Sequence, residues 1–132
     1  MASAHYNQGL EDYTKKLIDL GTGAGGDVIK VRLVRTSAYT FSAAHTVVGD
    51  LPSAIVTDVT LAGKVLSAGT FDANDAVFVA VPAGAAIDAL VIWDDTHASD
   101  RLLAYIDGFS VTPNGGDITV VWQGTTPWIY KI

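Results

Sequence analysis

The sequence predicts a mainly β fold, an antiparallel β-sandwich or barrel-like domain of about eight strands with one N-terminal α-helix. Short apolar or alternating runs recur at intervals of about ten residues and are separated by Gly, Pro or Asp, as strands and turns are in such folds. Of the 132 residues, 49% are hydrophobic and 17% are charged, so the chain can bury a core. No repeat, linker or low-complexity block divides the chain, which favours a single domain over residues 1–132.

The helix is predicted from a stripe of apolar residues near the N-terminus. The residues that recur at helical spacing are Tyr6, Leu10, Tyr13 and Leu17. Gly21 follows them, and glycine commonly ends a helix. We therefore expect a helix over about residues 6–20.

The strands are predicted from eight runs, which are DVIKVRLVR, AIVTDVTL, KVLSAGTF, AVFVAV, ALVIW, RLLAYID, DITVVW and PWIYK. Because AVFVAV and ALVIW are apolar on both faces, we expect them to be central strands. Asn114-Gly115 lies before DITVVW, and both residues tolerate a positive φ, so this dipeptide predicts a β-hairpin turn.

One segment, Thr36–Ala54, fits neither a helical nor a strand pattern and is long for a loop. It is too apolar to stay solvated, so either the domain's own sheet or a neighbouring subunit must cover it. The segment and the residues before Tyr6 are therefore candidates for contact with neighbouring subunits. The candidate partner-interface residues are Tyr39, Phe41, His45, Val48 and Leu51, together with the aromatic residues Trp128 and Tyr130 near the chain end.

Three segments contain residues that could form a metal, catalytic or nucleotide-binding site, but each is more simply explained as a loop or turn. The segment WDDTHASDR places Asp94, Asp95, His97 and Asp100 between two apolar strands, where they could bind a metal or act in acid–base chemistry, but a polar hairpin loop has the same composition. FDANDAVF lacks the ligand spacing of a calcium loop and is read as a turn. GTGAGG lacks the strand–turn–helix context of a nucleotide site. The sequence therefore predicts no catalytic residue, no cofactor-binding residue and no metal site, and a protein that is not an enzyme.

Charge and hydropathy exclude other classes of partner. The net charge is −6, which argues against binding nucleic acid. There are no cysteines, so neither disulfides nor thiolate chemistry are expected. No signal peptide is evident, and the longest apolar run, of about twelve residues, is shorter than a membrane span.

In the order of its segments, the sequence resembles those of a group of small virion structural proteins of tailed bacteriophages. The resemblance begins with YNQGLEDY, IKVRLV and YTF before a loop that contains His45. It continues, most strongly from Phe71 onward, through TLAGKVLSAGTFDANDAVF, ALVIWDDT, LLAYIDGFSVTPNGGDITVVW and WIYKI. It covers nearly the whole chain and is a likeness of scaffold, with no catalytic signature.

The resemblance implies a capsid decoration (cement) protein that binds the outer head shell, or a neck, tail or fibre component. Its partners would be the major capsid protein or other virion subunits, and it would act as a homo-oligomer in a particle assembled in the host cytoplasm. Two other classes remain open from the residues alone. Trp128 and Tyr130 could serve a carbohydrate-binding β-sandwich module, and the Asp cluster could serve a hydrolase.

Overall fold

The protein is mainly β, and its strands pair antiparallel, as predicted. A computed structural model describes residues 4–7, 27–67, 70–96, 100–122 and 130–131. Most of the predicted helix, residues 8–20, lies outside these described residues. Its first predicted residue, Tyr6, directly follows a short strand.

Ten strands and one 3₁₀ helix occur in the described ranges. The strands are β1 Ala4–His5, β2 Ile29–Val34, β3 Val59–Thr60, β4 Val65–Ser67, β5 Thr70–Asp72, β6 Ala76–Phe78, β7 Ile87–Asp94, β8 Arg101–Val111, β9 Ile118–Val120 and β10 Tyr130–Lys131. The 3₁₀ helix spans Val48–Asp50.

These strands form three sheets. The largest has the order β1-β8-β7-β2-β3, and the others are β10-β5-β4 and β6-β9. The prediction that ALVIW is central is confirmed, because β7 lies in the middle of the five-stranded sheet. The same prediction for AVFVAV is wrong. Its residues form β6 of the two-stranded sheet, where Ala76 and Phe78 are buried while Val77 and Val79 are 44% and 65% exposed.

Two other predicted strands differ in the structure. KVLSAGTF contains two strands, because β4 and β5 pair with each other in the register Val65↔Asp72. AIVTDVTL contributes only β3, which pairs with β2 at the edge of the large sheet. Just before β3, the Asp58 carboxylate accepts hydrogen bonds from the Arg32 side chain. Periodicity detects extended backbone, but the edge position of this segment depends on tertiary contacts.

The turn at Asn114-Gly115 is present, but the predicted hairpin is wrong. β8 pairs with β7 and β1, whereas β9 pairs with β6, so the turn carries the chain from the large sheet to the two-stranded sheet. Gly115 has the expected positive φ of 91°. Its N–H donates to the carbonyl oxygen of Val81 at 2.8 Å, which extends the β6–β9 pairing. The dipeptide encodes the local backbone conformation but not the choice of partner strand.

Two apolar clusters lie on opposite faces of the five-stranded sheet, since their members alternate along β2 and β7. The first cluster joins this sheet to β6, and its sheet residues include Ile29, Val31, Leu33, Leu90 and Ile92, packed with Leu61, Ala76, Phe78 and Val81. The second cluster comprises Tyr6, Val34, Tyr39, Leu51, Ala89, Val91, Trp93, Leu102 and Tyr105. The chain itself therefore covers the central part of both faces of the large sheet.

Candidate functional site

Residues 36–54, called the lid segment below, cover the second face of the large sheet. Tyr39 and Leu51 are only 5% and 8% exposed and belong to the second cluster. Phe41 and Val48 are half-buried and pack against the same cluster. The lid segment thus buries apolar groups against its own domain. Tyr39 and Leu51 offer almost no surface to a partner in this structure.

The other candidate interface residues are placed differently. His45 is half-buried in the lid segment. Trp128 lies outside the described residues. Tyr130 is in β10, where its backbone pairs with Phe71 of β5. Ala4 and His5, which precede Tyr6, form β1 and pair with β8. Among the described residues of the predicted set, the structure therefore brings together only those of the lid segment.

An aromatic cluster ties the lid segment to the sheet. The Phe41 ring stacks on Tyr105 of β8, with ring centroids 5.0 Å apart. The Tyr6 ring contacts Phe41 at the same centroid distance with a tilt of 60°. Tyr39 lies 6.2 Å from Tyr105 between centroids. Such tilted and stacked pairs stabilise a core beyond the area they bury.

A chain of hydrogen bonds runs through this cluster. The Tyr6 and Tyr39 hydroxyls are 2.9 Å apart, and the Tyr39 hydroxyl lies 2.8 Å from Nδ1 of His45. Burial raises the pKa of Tyr6 and of Tyr39, so both hydroxyls stay protonated and can each donate and accept. Sequence reasoning missed this chain because it placed Tyr6 on a helical stripe, and no local pattern links Tyr6 to Tyr39, 33 residues away.

Carboxylates fix a turn within the lid segment and the start of that segment. The Asp50 carboxylate accepts hydrogen bonds from the N–H groups of Thr46 and Val47 at 2.9 and 3.2 Å, and these bonds lower the pKa of Asp50. At the start of the segment, the Asp88 carboxylate accepts from the hydroxyl and the N–H of Thr36, and these bonds lower the pKa of Asp88. These ionised groups fix the lid backbone.

A second group of side chains lies where β7 ends. Asp94 is fully buried at 0% exposure, and Asp27, which precedes β2, is 8% exposed. Oδ1 of Asp94 accepts from the N–H of Thr96 at 2.8 Å. Burial, together with a hydrogen bond between the carboxyl groups of Asp94 and Asp27, raises the pKa of Asp94 to about 7. This end of the sheet therefore holds a buried carboxyl group, that of Asp94, whose pKa lies above the usual range for aspartate.

The structure partly matches the polar-loop prediction for WDDTHASDR. The segment does join two antiparallel neighbours, β7 and β8. Asp95 forms an ion pair with Lys30 at 2.7 Å, which lowers the pKa of Asp95. Asp94, however, belongs to the strand and is buried, so it is not a loop residue. His97 lies outside the described residues. Within the described ranges, no group of three or more His, Cys, Asp or Glu side chains could hold a metal ion.

Two tryptophans pack against the two apolar clusters. Trp93 is 5% exposed in the second cluster, and Trp122 packs half-buried against the first. The indole N–H of Trp122 donates to the carbonyl oxygen of Asn74 at 3.0 Å, and its backbone N–H donates to Asp75 at 3.1 Å. The turn in FDANDAVF thus serves as an anchor for Trp122.

An apolar surface, called the valine face below, lies on the outside of the β6–β9 pair. Val77, Val79 and Val121 are 44%, 65% and 64% exposed. Val77 of β6 and its register partner Thr119 of β9 share one side of the ribbon, and Val79 and Val121 directly follow these two strands. The carboxylates of Asp75 and Asp117 each accept a backbone N–H bond nearby, from Trp122 and Ala80. This face is a small apolar patch flanked by acids.

Comparison with known proteins adds no further constraint. No protein-family model matches the chain, and neither the curated proteins nor the solved structures contain a match. In the part of the chain that the structure describes, no helix is both long enough and apolar enough to cross a membrane.

Proposed function

We propose that this protein is a structural component of a tailed-bacteriophage particle, most specifically a capsid decoration (cement) protein on the outer head shell. It has no enzymatic activity in this proposal. It assembles in the host cytoplasm, binds the major capsid protein or other virion subunits and forms a homo-oligomer on the particle. Its fold would be a β-sandwich in which the five-stranded sheet and the β6–β9 pair form two layers around the first cluster. The sequence resemblance described above supports this assignment.

The observation that carries the proposal is the valine face. Most apolar side chains of the large sheet are covered by the chain itself, whereas Val77, Val79 and Val121 are left exposed. Burying apolar surface of this kind is favourable by about 25 cal/mol per Å². A ribbon whose turns are already fixed by hydrogen bonds loses little conformational entropy when it docks. The valine face is therefore suited to permanent attachment to another protein surface.

The acids around the valine face indicate which surface it would meet. Asp75 and Asp117 hold their positions through backbone hydrogen bonds, so their charges stay at fixed places beside the valines. A partner with an apolar patch between basic residues would complement them. Such charge complementarity sets orientation and association rate more than affinity.

The test is binding of the isolated protein to empty capsids. We expect Val77→Ser with Val121→Ser to weaken this binding while the protein stays folded, since both side chains are largely exposed. Val111→Ser is the matched control, because Val111 is also exposed, at 37%, but lies at the end of β8. Full binding by the double variant would contradict the valine face as the docking surface.

Failure of the unaltered protein to bind capsids would contradict the decoration role itself. An image of the assembled particle distinguishes the alternatives in the same structural class, since density for this chain in the neck, tail or fibre would replace the head assignment. Binding of the isolated protein to a glycan array would favour the carbohydrate-binding alternative.

A further inference from the structure

The carboxyl groups of Asp27 and Asp94 pose a hydrogen-bonding problem. Both are buried, and they lie within hydrogen-bonding reach of each other. Oδ1 of Asp94 accepts from Thr96, whereas the buried Oδ2 of Asp94 receives no hydrogen bond from the described residues. An ionised carboxylate can only accept, so contact between two carboxyl groups becomes a hydrogen bond only if one carries a proton.

Among the causes of the raised pKa of Asp94, burial of the carboxyl group comes first and the Asp27 carboxyl follows. Lys64 donates to the backbone carbonyl of Asp27. Lys30 is taken by Asp95. On the β8 side, Arg101 is the register partner of Asp94, and the Asp100 carboxyl contacts that of Asp95. Burial is the main cause, and a proton is the simplest way to relieve it.

The carboxyl pair lies where the segment before β2 meets the segment after β7. The Val28 N–H donates to the Thr96 hydroxyl at 2.6 Å, and the Asp95 N–H donates to the Val28 carbonyl at 2.8 Å. These bonds join the start of β2 to the segment after β7. Two buried negative charges between these segments would repel each other and would lack solvation.

We propose that Asp27 and Asp94 share one proton in the folded protein, and that loss of this proton opens the end of the large sheet where β2 begins and β7 ends. This inference does not depend on the function proposed above. The proton belongs to the pair rather than to either residue, as in other close carboxyl pairs.

The sign of the pH effect follows from linkage. The folded pair binds its proton at a higher pH than an unfolded aspartate does, since the pKa of Asp94 is raised to about 7. Proton binding therefore favours the folded state. The stabilisation is complete below about pH 4 and is lost as the pH rises through about 7.

The experiment is urea unfolding between pH 5 and pH 8 at constant ionic strength. For the unaltered protein, the unfolding equilibrium constant should increase by up to about tenfold per pH unit in the lower part of this range. Asp94→Asn should lose this increase, because its uncharged amide can donate to Asp27 at every pH. Asp88→Asn is the control, since the pKa of Asp88 is lowered and its titration falls below the range.

Two further measurements keep the proposal testable if Asp94→Asn folds poorly. Infrared spectra of the unaltered protein should show a protonated carboxylic acid at pH 6 that disappears by pH 8.5. Amide hydrogen exchange of Val28 and Asp95, corrected for the intrinsic effect of pH, should accelerate over the same range. Equal pH dependence in the unaltered protein and Asp94→Asn would overturn the proposal, as would a spectrum at pH 6 with ionised carboxylates alone. Stabilisation at pH 8 by added calcium would also overturn it, because a cation would then occupy the pair.

Discussion

Removing the hydroxyl of Tyr39 tests whether the hydrogen-bond chain fixes the lid segment. Tyr39→Phe keeps the ring and its contact with Tyr105 but removes the group between Tyr6 and His45. His45 is half-buried and can turn to water, whereas Tyr6 is fully buried at 0% exposure and cannot. The loss of a net hydrogen bond costs about 1 kcal/mol, and an unsatisfied buried hydroxyl costs about 1–3 kcal/mol. We expect Tyr39→Phe to lower the free energy of unfolding by about 2–3 kcal/mol.

The hydrogen-bond chain also predicts that the stability costs of substituting Tyr6 and Tyr39 are not additive. Tyr6→Phe should cost only about 1 kcal/mol, since the Tyr39 hydroxyl keeps its bond to His45. The double variant should cost no more than Tyr39→Phe alone, because no buried hydroxyl is then left without a partner. Urea unfolding of the four proteins measures this cycle. Additive costs, within about 0.5 kcal/mol, would refute a direct bond between the two hydroxyls.

Two other substitutions test the turn and the edge of the large sheet. Gly115→Val should lower the free energy of unfolding by about 1–3 kcal/mol, because φ is 91° there and valine is strained in that conformation. An added Cβ would meet no atom within 4 Å, so the cost would come from the backbone and not from a clash. Thermal unfolding measures the effect with Gly49→Ala as the control, and an unchanged melting temperature would contradict the prediction. Arg32→Lys should lower the free energy of unfolding by about 1–2 kcal/mol, because lysine cannot make the bidentate contact with Asp58 that Nε makes at 3.0 Å and Nη2 at 2.9 Å. Equal stability of the lysine variant in urea would mean that only the charge of Arg32 matters.

Local pattern was sufficient to predict the strands that are long or strictly alternating. β2 alternates, with Ile29, Val31 and Leu33 buried on one face, and it lies where IKVRLV predicts it. β7 is apolar on both faces, and it is central. These strands could be read because burial on one or both faces leaves a period in the sequence itself.

The sequence predicts that the lid segment is covered, but it does not determine whether the domain's own sheet or a neighbouring subunit covers it. The lack of period in Thr36–Ala54, combined with its apolar side chains, indicated that something must cover it. The cover is the second face of the large sheet, and it depends on Ala89, Val91 and Tyr105, which lie far away along the chain. The hydroxyl chain from Tyr6 to His45 follows only after this face has been assembled.

The carboxyl pair shows most clearly where sequence reasoning stops. In WDDTHASDR the two adjacent aspartates look equivalent, but strand alternation sends their side chains to different surroundings. Asp95 reaches solvent and Lys30, so the pKa of Asp95 is lowered. Asp94 turns inward, where Asp27 approaches from the segment before β2 and the pKa of Asp94 is raised. A charge pattern gives the number of carboxylates, but their acidity depends on which of them the fold removes from water. Comparing the same substitution at the two adjacent positions therefore tests this directly. Asp95→Asn should leave the infrared signal of a protonated acid at pH 6 largely intact, while Asp94→Asn should abolish it. If both variants kept the signal, the proton would reside elsewhere in the chain, and the shared-proton pair would be wrong.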